Sequence, residues 1–247
     1  MSGRPDAVPA AAAPLLRLSG LRHGWPGEAR DVLDIDTLDL AAGQTAFVRG
    51  PSGCGKSTLL ALIAGVQRAR AGSVELLGQD WAGLSGSACD RRRADHIGIV
   101  FQQFNLLPYL SVLDNVLLPC RLSALRASRA GADAATRERS ARELLDRVGL
   151  RGELATRRAD RLSVGQQQRV AAARALVGAP ELVLADEPTS ALDETRRDAF
   201  MDLLLGACAE AGSTLVFVSH DARLAPRFDR VIDLPTLNRA ATAEEAA

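Results

Sequence analysis

The chain has 247 residues, long enough to bury the core of one large domain or two small ones. It is 47% hydrophobic and 24% charged, and its 30 basic and 30 acidic side chains give a formal net charge of zero. Balanced charge argues against general attraction to nucleic acid or anionic lipid, so we expect no nucleic-acid partner. The longest clean apolar run, residues 59–66, is about half of the roughly 18 residues that a membrane helix needs.

The amino-terminal residues 1–14 combine alanines with Pro9 and Pro14, which is typical of a disordered tail rather than of a signal peptide. Less apolar runs follow at 15–21, 32–40 and 73–78, and they indicate a small antiparallel sheet. The four cysteines show no metal-ligand spacing and favour a reducing, cytosolic interior.

A second set of strands is continuously apolar and predicts a buried parallel sheet. These runs are residues 44–49, 97–101, 182–186 and 214–218. Helical patterns lie between them, among them 56–64, stopped by Gly65, and 194–211, stopped by Gly212. The alternation predicts an α/β core.

From about residue 105 to 165 the pattern is helical without strands, which predicts a helical insert in the core. Ser111 and Asp114 form a capping box that begins one helix, and Pro119 is expected to end or kink it. Residues 123–135, rich in Ala, Ser, Arg and Gly, are interpreted as a loose connection. We expect one domain over 15–235 and a flexible tail over 236–247.

The first chemical motif, which begins at Gly50, fits G-x-x-x-x-G-K-S/T and lies between a predicted strand and a predicted helix. A phosphate-binding loop of this pattern is called a P-loop. Its glycines let backbone N–H groups surround phosphate oxygens, and the helix N-terminus adds partial positive charge. Lys56 would reach the β- and γ-phosphates and Ser57 would bind Mg²⁺. The residues expected to hold the nucleotide here are Gly50, Pro51, Ser52, Gly53, Cys54, Gly55, Lys56, Ser57 and Thr58.

Lys56 is the single lysine in a chain with 29 arginines. A bias towards arginine explains why other lysines are absent but not why this one remains. A compact ammonium and a wide planar guanidinium are not interchangeable in a tight phosphate cradle. The composition therefore singles out Lys56.

Two adjacent acids, Asp186 and Glu187, end the apolar run 182–186. Consecutive strand residues point in opposite directions, so we expect the two acids to have different tasks. Asp186 suits Mg²⁺, and Glu187 suits orienting and deprotonating a water molecule. A pair of acids indicates hydrolysis.

The sequence L-S-V-G-Q at 162–166 begins a long helix. Ser163 and Gln166 have capping-box spacing, which any helix uses. The functional alternative is an anion site at this helix N-terminus, where Gly165 permits close approach. Because the chain has its own P-loop, that phosphate would belong to the ATP of a second molecule.

Together the motifs resemble the ATP-binding cassette (ABC) family. They are the P-loop, Gln102 after the strand at 97–101, L-S-V-G-Q, L-A-D-E-P, S-A-L-D at 190–193, and His220, in the family's order over about residues 15–235. The resemblance implies a P-loop NTPase core with an antiparallel β subdomain and an inserted α-helical subdomain. It also implies ATP and Mg²⁺ as cofactors, and two copies enclosing two ATP molecules head to tail.

The resemblance assigns roles to further residues. Trp25 would stack on adenine, Gln102 would link Mg²⁺ to a membrane partner, and His220 would contact the γ-phosphate. The implied catalytic residues are Glu187, His220 and Gln102; the metal ligands are Ser57, Gln102 and Asp186; and Trp25, Ser163, Gly165, Gln166 and Asp193 join the P-loop at the nucleotide. Taken singly, Trp25 would suit a core, Gln102 a strand end and His220 a turn. His23 and His96 match no family position and are expected at the surface.

Val164 departs from the family's usual glycine. Residues 101–108 and 116–119 resemble the ATPases of lipoprotein-release, macrolide-export and cell-division permeases, although S-A-L-D also suits polar amino-acid importers. A non-transport ATPase with a cell-division-type membrane partner is a further alternative. We expect a separately encoded permease, docked near Gln102 and residues 104–109 on the cytoplasmic face of the inner membrane. The apolar side chains at 104–109 could instead pack the insert.

Overall fold

The computed structural model of the chain describes residues 13–28, 30–190 and 192–242, and the expected tail at 1–14 therefore lies largely outside the described residues. The strands are β1 (Leu16–His23), β2 (Leu33–Leu40), β3 (Thr45–Arg49), β4 (Ala71–Leu76), β5 (Gln79–Asp80), β6 (Ile97–Val100), β7 (Leu182–Asp186), β8 (Thr214–Val218) and β9 (Arg230–Asp233). The helices are α1 (Lys56–Ile63), α2 (Gly86–His96), α3 (Val112–Leu122), α4 (Ala124–Ala130), α5 (Ala134–Arg147), α6 (Val164–Leu176), α7 (Glu194–Ala211), α8 (Leu234–Leu237) and α9 (Arg239–Thr242).

The central sheet is parallel, with the strand order β6-β7-β8-β3-β9. Its strands are nearly continuously buried because helices cover both faces. A second sheet, ordered β2-β1-β4-β5, is antiparallel. The predicted α/β class with an antiparallel subdomain is confirmed.

Each face of the parallel sheet contributes to a different hydrophobic core. Phe47 and Phe217 point to one side, where they pack with α6, α7 and the insert helices. Val48 and Val218, one residue further along the same strands, point to the other side, towards α1 and the antiparallel sheet. This alternation is the period-2 geometry of a strand buried on both faces. The parallel sheet is thus fixed between two packed layers.

Between β6 and β7 the chain forms the helical insert. Ser111 caps α3 as predicted, but α3 continues past Pro119 to Leu122. Residues 123–135 are not a loose connection, because they contain α4, capped by Ser123 and fixed by the buried Arg126. The guanidinium of Arg126 donates hydrogen bonds to the carbonyl oxygens of Ile97, Arg174, Ala175 and Val177.

The chain beyond β9 returns to the antiparallel sheet. Asn238 is buried between α8 and α9, donates to the carbonyl oxygen of Val32 and accepts from the backbone N–H of Asp34. The expectation of a flexible tail from residue 236 is therefore wrong as far as Asn238, because these hydrogen bonds attach the segment to β2. Across the ranges that the structure covers, no helix has the length and apolar character needed to span a membrane.

Candidate functional site

Four neighbouring parallel strands deliver the predicted site residues to one edge of the sheet. In sheet order, β6 leads to Gln102, β7 to Asp186 and Glu187, β8 to His220, and β3 to the P-loop. The carboxyl ends of parallel strands lie on the same side, where open α/β sheets bind their ligands. The topology explains why motifs far apart in sequence share one site.

The P-loop is an open turn that leads directly into α1. Gly55 occupies the N-cap with φ of 97°, and no side chain caps the helix. A Cβ atom at Gly55 would lie 2.9 Å from a methyl carbon of Leu33, so the loop requires glycine there. Pro51, Ser52 and Gly53 are exposed, while Cys54 and Thr58 are half-buried. The first backbone amides of α1 are therefore free of side-chain acceptors.

Lys56 is buried beneath this loop. Its Nζ donates hydrogen bonds of 2.8 Å to the carbonyl oxygens of both Gly50 and Pro51. The two contacts hold the ammonium under the loop, where it can add positive charge to a phosphate. A guanidinium is wider and carries its N–H groups in a fixed planar fork, so it would not reproduce these two contacts from a single nitrogen.

Asp186 and Ser57 face each other beside the P-loop. The Oδ1 atom of Asp186 lies 3.5 Å from the hydroxyl oxygen of Ser57. Burial raises the pKa of the Asp186 carboxyl, Glu187 raises it further, and the Ser57 hydroxyl and Lys56 oppose the shift. The carboxylate is thus poorly solvated, and a cation placed against it would be stabilised.

Glu187 has a left-handed backbone with φ of 45°. Its N–H donates to the carbonyl oxygen of Val218 at 3.0 Å, which fixes the turn after β7 against β8. The Oε2 atom of Glu187 lies 3.1 Å from Nδ1 of His220. The two acids therefore have different partners, Ser57 for Asp186 and His220 for Glu187, and the turn at Glu187 sets this difference. A non-glycine residue in this conformation costs on the order of 1–2 kcal/mol and is typical of functional sites.

Gln102 lies in the segment after β6, with its Nε2 atom 3.5 Å from the hydroxyl oxygen of Ser190. Phe104 and Asn105 both have positive φ angles, 59° and 47°. Arg174 of α6 holds this strained turn, donating to the carbonyl oxygens of Phe104 at 2.5 Å and Asn105 at 2.6 Å. Sequence reasoning missed Arg174, whose signal was only an arginine among alanines.

Trp25 follows β1 and is 40% exposed. Its indole meets the ring of His23 edge-on, with the ring centroids 5.7 Å apart. His23 was expected at the surface but is buried. Its Nδ1 atom lies 3.0 Å from the carbonyl oxygen of Arg68, which gives the buried ring a polar partner. His96 is also half-buried, 2.9 Å from the carboxylate of Glu181. The exposed indole face at Trp25 is available for stacking.

Ser163, Gly165 and Gln166 lie at the N-terminus of α6, where Ser163 and Gly165 line a cavity of about 650 Å³. Gln166 Oε1 accepts from the Ser163 N–H at 3.0 Å, and Ser163 Oγ accepts from the Gln166 N–H at 3.4 Å, so the capping box is formed. Asp193 caps α7 nearby and accepts from the Arg196 N–H at 2.9 Å. Among the described residues, those lining this cavity include no P-loop residue. The predicted site is thus in two groups within one chain.

One buried contact links α6 to the turn after Glu187. Gln168 is 2% exposed and donates from Nε2 to the carbonyl oxygen of Pro188 at 2.8 Å. Sequence reasoning missed this residue. Its position three and four residues before Ala171 and Ala172 placed it on the buried face of the helix, and that periodicity was the available signal.

The chain is similar to known proteins over most of its length. A family profile described as ABC transporter matches residues 33–190. The chain is 45% identical over 225 residues to the lipoprotein-releasing system ATP-binding protein LolD of Anaeromyxobacter dehalogenans, covering 90% of this chain and 91% of that protein. It is 41% identical over 223 residues to a probable export ATP-binding/permease protein of Pseudomonas fluorescens, covering 90% of this chain and 33% of that protein. The chain therefore spans about a third of the latter relative.

Solved structures share the fold. A dimeric, post-hydrolysis form of the ATP-binding cassette MJ0796 bound to ADP and phosphate has a TM-score of 0.78 and 35% identity, covering 92% of this chain and 95% of that one. The cassette cbiO1 of Clostridium perfringens, part of the transporter complex cbiONQ, has a TM-score of 0.77 and 25% identity, covering 90% and 86%.

Proposed function

Because this chain belongs to the ABC transporter family and is an ATP-binding ATPase, we propose that two copies of it enclose two ATP molecules and drive a membrane permease of the lipoprotein-release or macrolide-export type. The similarity to LolD and to the probable export protein supports this group over a polar amino-acid importer. The working position is the cytoplasmic face of the membrane.

We assign the nucleotide chemistry to the carboxyl-terminal ends of the parallel strands. The backbone amides of residues 53–58 surround the phosphates, and Lys56 supplies positive charge from below. Glu187 accepts a proton from the attacking water, with His220 fixing its carboxylate at 3.1 Å. Ser57 and Asp186 present the oxygen ligands that Mg²⁺ prefers, and the raised pKa of Asp186 supports a cation there. When bound, Mg²⁺ would neutralise phosphate charge during transfer.

The second copy supplies the other half of each site. Ser163 and Gly165 lie apart from the P-loop of their own chain, so we propose that they close over the ATP of the partner. The dimeric form of the similar cassette MJ0796 supports this arrangement. Val164 is 52% exposed and would meet the partner directly.

The observation that carries the transport proposal is a groove of about 620 Å³ beside β6 and the Gln102 segment. Two exposed apolar side chains line it, Phe101 and Leu122, which are 38% and 69% exposed, together with the basic Arg91 and Arg93. Arg174, whose guanidinium holds the turn at Phe104 shortly after Gln102, also lines the groove. A partner in this groove would therefore contact residues that join directly to the active-site edge.

Residues 104–109 divide between core and surface. Phe104 is 6% exposed and belongs to the core, and Leu106 packs against that core. Tyr109 is 64% exposed. The docking surface that we propose thus combines Tyr109 with the groove rather than the whole stretch.

The test is co-expression with the permease gene that neighbours this one. Leu122→Asp and Tyr109→Asp are expected to abolish co-purification and permease stimulation of ATPase activity. Basal hydrolysis should stay within about twofold, as for most surface substitutions. Val231→Asp is the matched control, since Val231 is 45% exposed but lies on β9, at the opposite edge of the sheet from β6. Retained stimulation in both variants, Leu122→Asp in the groove and Tyr109→Asp outside its lining, would contradict this docking surface.

A further inference from the structure

The loop that carries Trp25 is fastened by an arginine from another segment. Arg70 lies immediately before β4, and its Nη2 atom donates to the carbonyl oxygens of Glu28 at 3.2 Å and Trp25 at 3.4 Å. Its Nη1 atom donates to Oδ1 of Asp31 at 2.9 Å. One guanidinium thus joins both sides of the turn and its exit into β2.

The anchor of this arginine is well built. The Asp31 side chain is 10% exposed and accepts Arg70 on one oxygen and Arg22 on the other, both at 2.9 Å. Charge-assisted hydrogen bonds of this kind are roughly twice as strong as neutral ones. Arg22 shares the carboxylate, but its side-chain contact is with Asp31, whereas Arg70 also reaches the loop carbonyls.

Close packing makes the contact specific to this loop. A Cβ atom at Gly24 would lie 2.9 Å from Nη2 of Arg70 and 2.6 Å from the carbonyl oxygen of Arg30. Glycine at this position is what allows the guanidinium to lie against the backbone. The residue before Trp25 is therefore fitted to Arg70.

The same segment also supports the indole from beneath. The carbonyl oxygen of Arg68 lies 3.0 Å from Nδ1 of the buried His23, whose ring makes a T-shaped contact with the indole of Trp25. The segment 68–70 thus fixes both the loop backbone and the ring below the indole. Trp25 is thus held through its neighbours while 40% of it stays exposed.

We infer that Arg70 is a positioning residue that holds Trp25 ready to stack on the nucleotide base. This inference rests on the proposed ATP-binding function and on the stacking role that the family resemblance implies for Trp25. A loop that is already ordered does not lose its conformational freedom when the base binds. Removing Arg70 should weaken ATP binding without changing the phosphate chemistry, since Lys56 and Glu187 are untouched.

The test compares Arg70→Met with the matched control Arg22→Met, which also loses a partner of Asp31 but no loop contact. We expect Arg70→Met to raise the KM for ATP by about three- to tenfold, the range that aromatic contacts usually supply, with kcat unchanged. Arg70→Lys should give an intermediate KM. Inhibition by Mg-tripolyphosphate, which has no base, should be the same in the wild type and in Arg70→Met.

A spectroscopic readout follows the indole itself. The chain has two tryptophans, and Trp81 is 3% exposed, so acrylamide reaches mainly Trp25. ATP should protect the quenchable fluorescence in the wild type and Arg22→Met, and protect it less in Arg70→Met at the same ATP concentration.

Three outcomes would overturn the inference. These are an unchanged KM in Arg70→Met, an equal rise in Arg22→Met, or a parallel loss of kcat and melting temperature that marks a merely structural role. Trp25→Ala separates this from the underlying proposal. If Trp25→Ala leaves the KM for ATP unchanged, the stacking role fails; if it raises the KM while Arg70→Met does not, only the positioning role fails.

Discussion

Two helix N-termini in this chain carry glycine-containing motifs, and they begin in opposite ways. At α1 the N-cap is Gly55 in a left-handed conformation, with no side-chain cap. At α6 the N-cap is Ser163, and the capping box with Gln166 satisfies donors at the helix start. The first turn of a helix has four backbone N–H groups without intrahelical partners. α1 leaves them for a ligand, whereas α6 partly satisfies them from within.

The difference indicates an order of events. In the role that we propose for it, the P-loop receives phosphate without rearranging, since Lys56 is already held below it by two carbonyl contacts. The α6 end is partly satisfied by its own capping box, and in the proposed dimer a phosphate would meet the N–H groups that the box leaves free. We therefore expect ATP to bind one chain first and the α6 end of the partner to close afterwards.

The largest effect should come from Lys56. Lys56→Ala and Lys56→Arg are both expected to lower ATP turnover by at least about a hundredfold, on the scale of losing a charge-stabilising group at a reacting centre. The matched control is Arg49→Lys, because Arg49 pairs with Asp233 on the exposed surface. Steady-state ATPase assays suffice. Full activity in Lys56→Arg would show that ammonium geometry is not what the open N-terminus requires.

Glu187→Gln separates binding from hydrolysis. The amide keeps the shape of the carboxylate but cannot accept a proton, so turnover should fall by about 10²–10⁴-fold while ATP stays bound. Size-exclusion chromatography with ATP should show a dimer, and adding Ser163→Arg should abolish it. Hydrolysis at the wild-type rate would mean that another residue is the base.

A smaller effect is expected at the N-terminus of α6, where the capping box is formed. Ser163→Ala removes the cap and should cost about 0.5–2 kcal/mol of unfolding free energy. ATP binding to the monomer should not change, because the P-loop is untouched. Thermal melting and nucleotide titration measure the two quantities. If Ser163→Ala also weakened ATP binding to the monomer, the N-terminus of α6 would not be independent of the P-loop of its own chain.

The smallest effect concerns the free energy of unfolding, which the buried Asp186 carboxylate is expected to lower. The pKa of Asp186 is raised in the folded chain, chiefly by burial. A carboxyl group whose folded pKa is raised destabilises the fold at pH values above that pKa, and the penalty disappears below the unfolded value of about 3.9. Without nucleotide and Mg²⁺, Asp186→Asn should therefore melt at a higher temperature at neutral pH, with the gain shrinking as pH falls through this range. A gain that is independent of pH would rule out the carboxylate as its cause.

The parallel strands were predictable because they are continuous apolar runs, and the observed β7 and β8 match the predicted bounds. The motif residues were predictable because glycine, lysine and acid spacing reports local chemistry. Hydrogen bonds between distant segments were not. α4 was missed since the sequence does not show that Arg126 meets carbonyls near residues 97 and 177. α3 continues past Pro119 to Leu122, and the N–H of Ser123 still donates to the Pro119 carbonyl oxygen at 2.9 Å.

The turn at Glu187 and the burial of His23 have the same cause. Each depends on a backbone partner on another strand or loop, Val218 O for Glu187 and Arg68 O for His23. Periodicity within a segment carries no information about such partners. The roles that we assign to the site residues remain predictions for the experiments above.

The head-to-tail arrangement is tested most directly by mixing two variants in the Glu187→Gln background. One carries Lys56→Ala and lacks a working P-loop, and the other carries Ser163→Arg and lacks a working α6 end. Each alone should remain monomeric with ATP, whereas a mixture pairs the intact P-loop of one chain with the intact α6 end of the other. Light scattering should then detect an ATP-dependent one-to-one dimer in the mixture only. A dimer of the Ser163→Arg chain alone, or no dimer in the mixture while Glu187→Gln alone dimerises, would contradict a site shared between two chains.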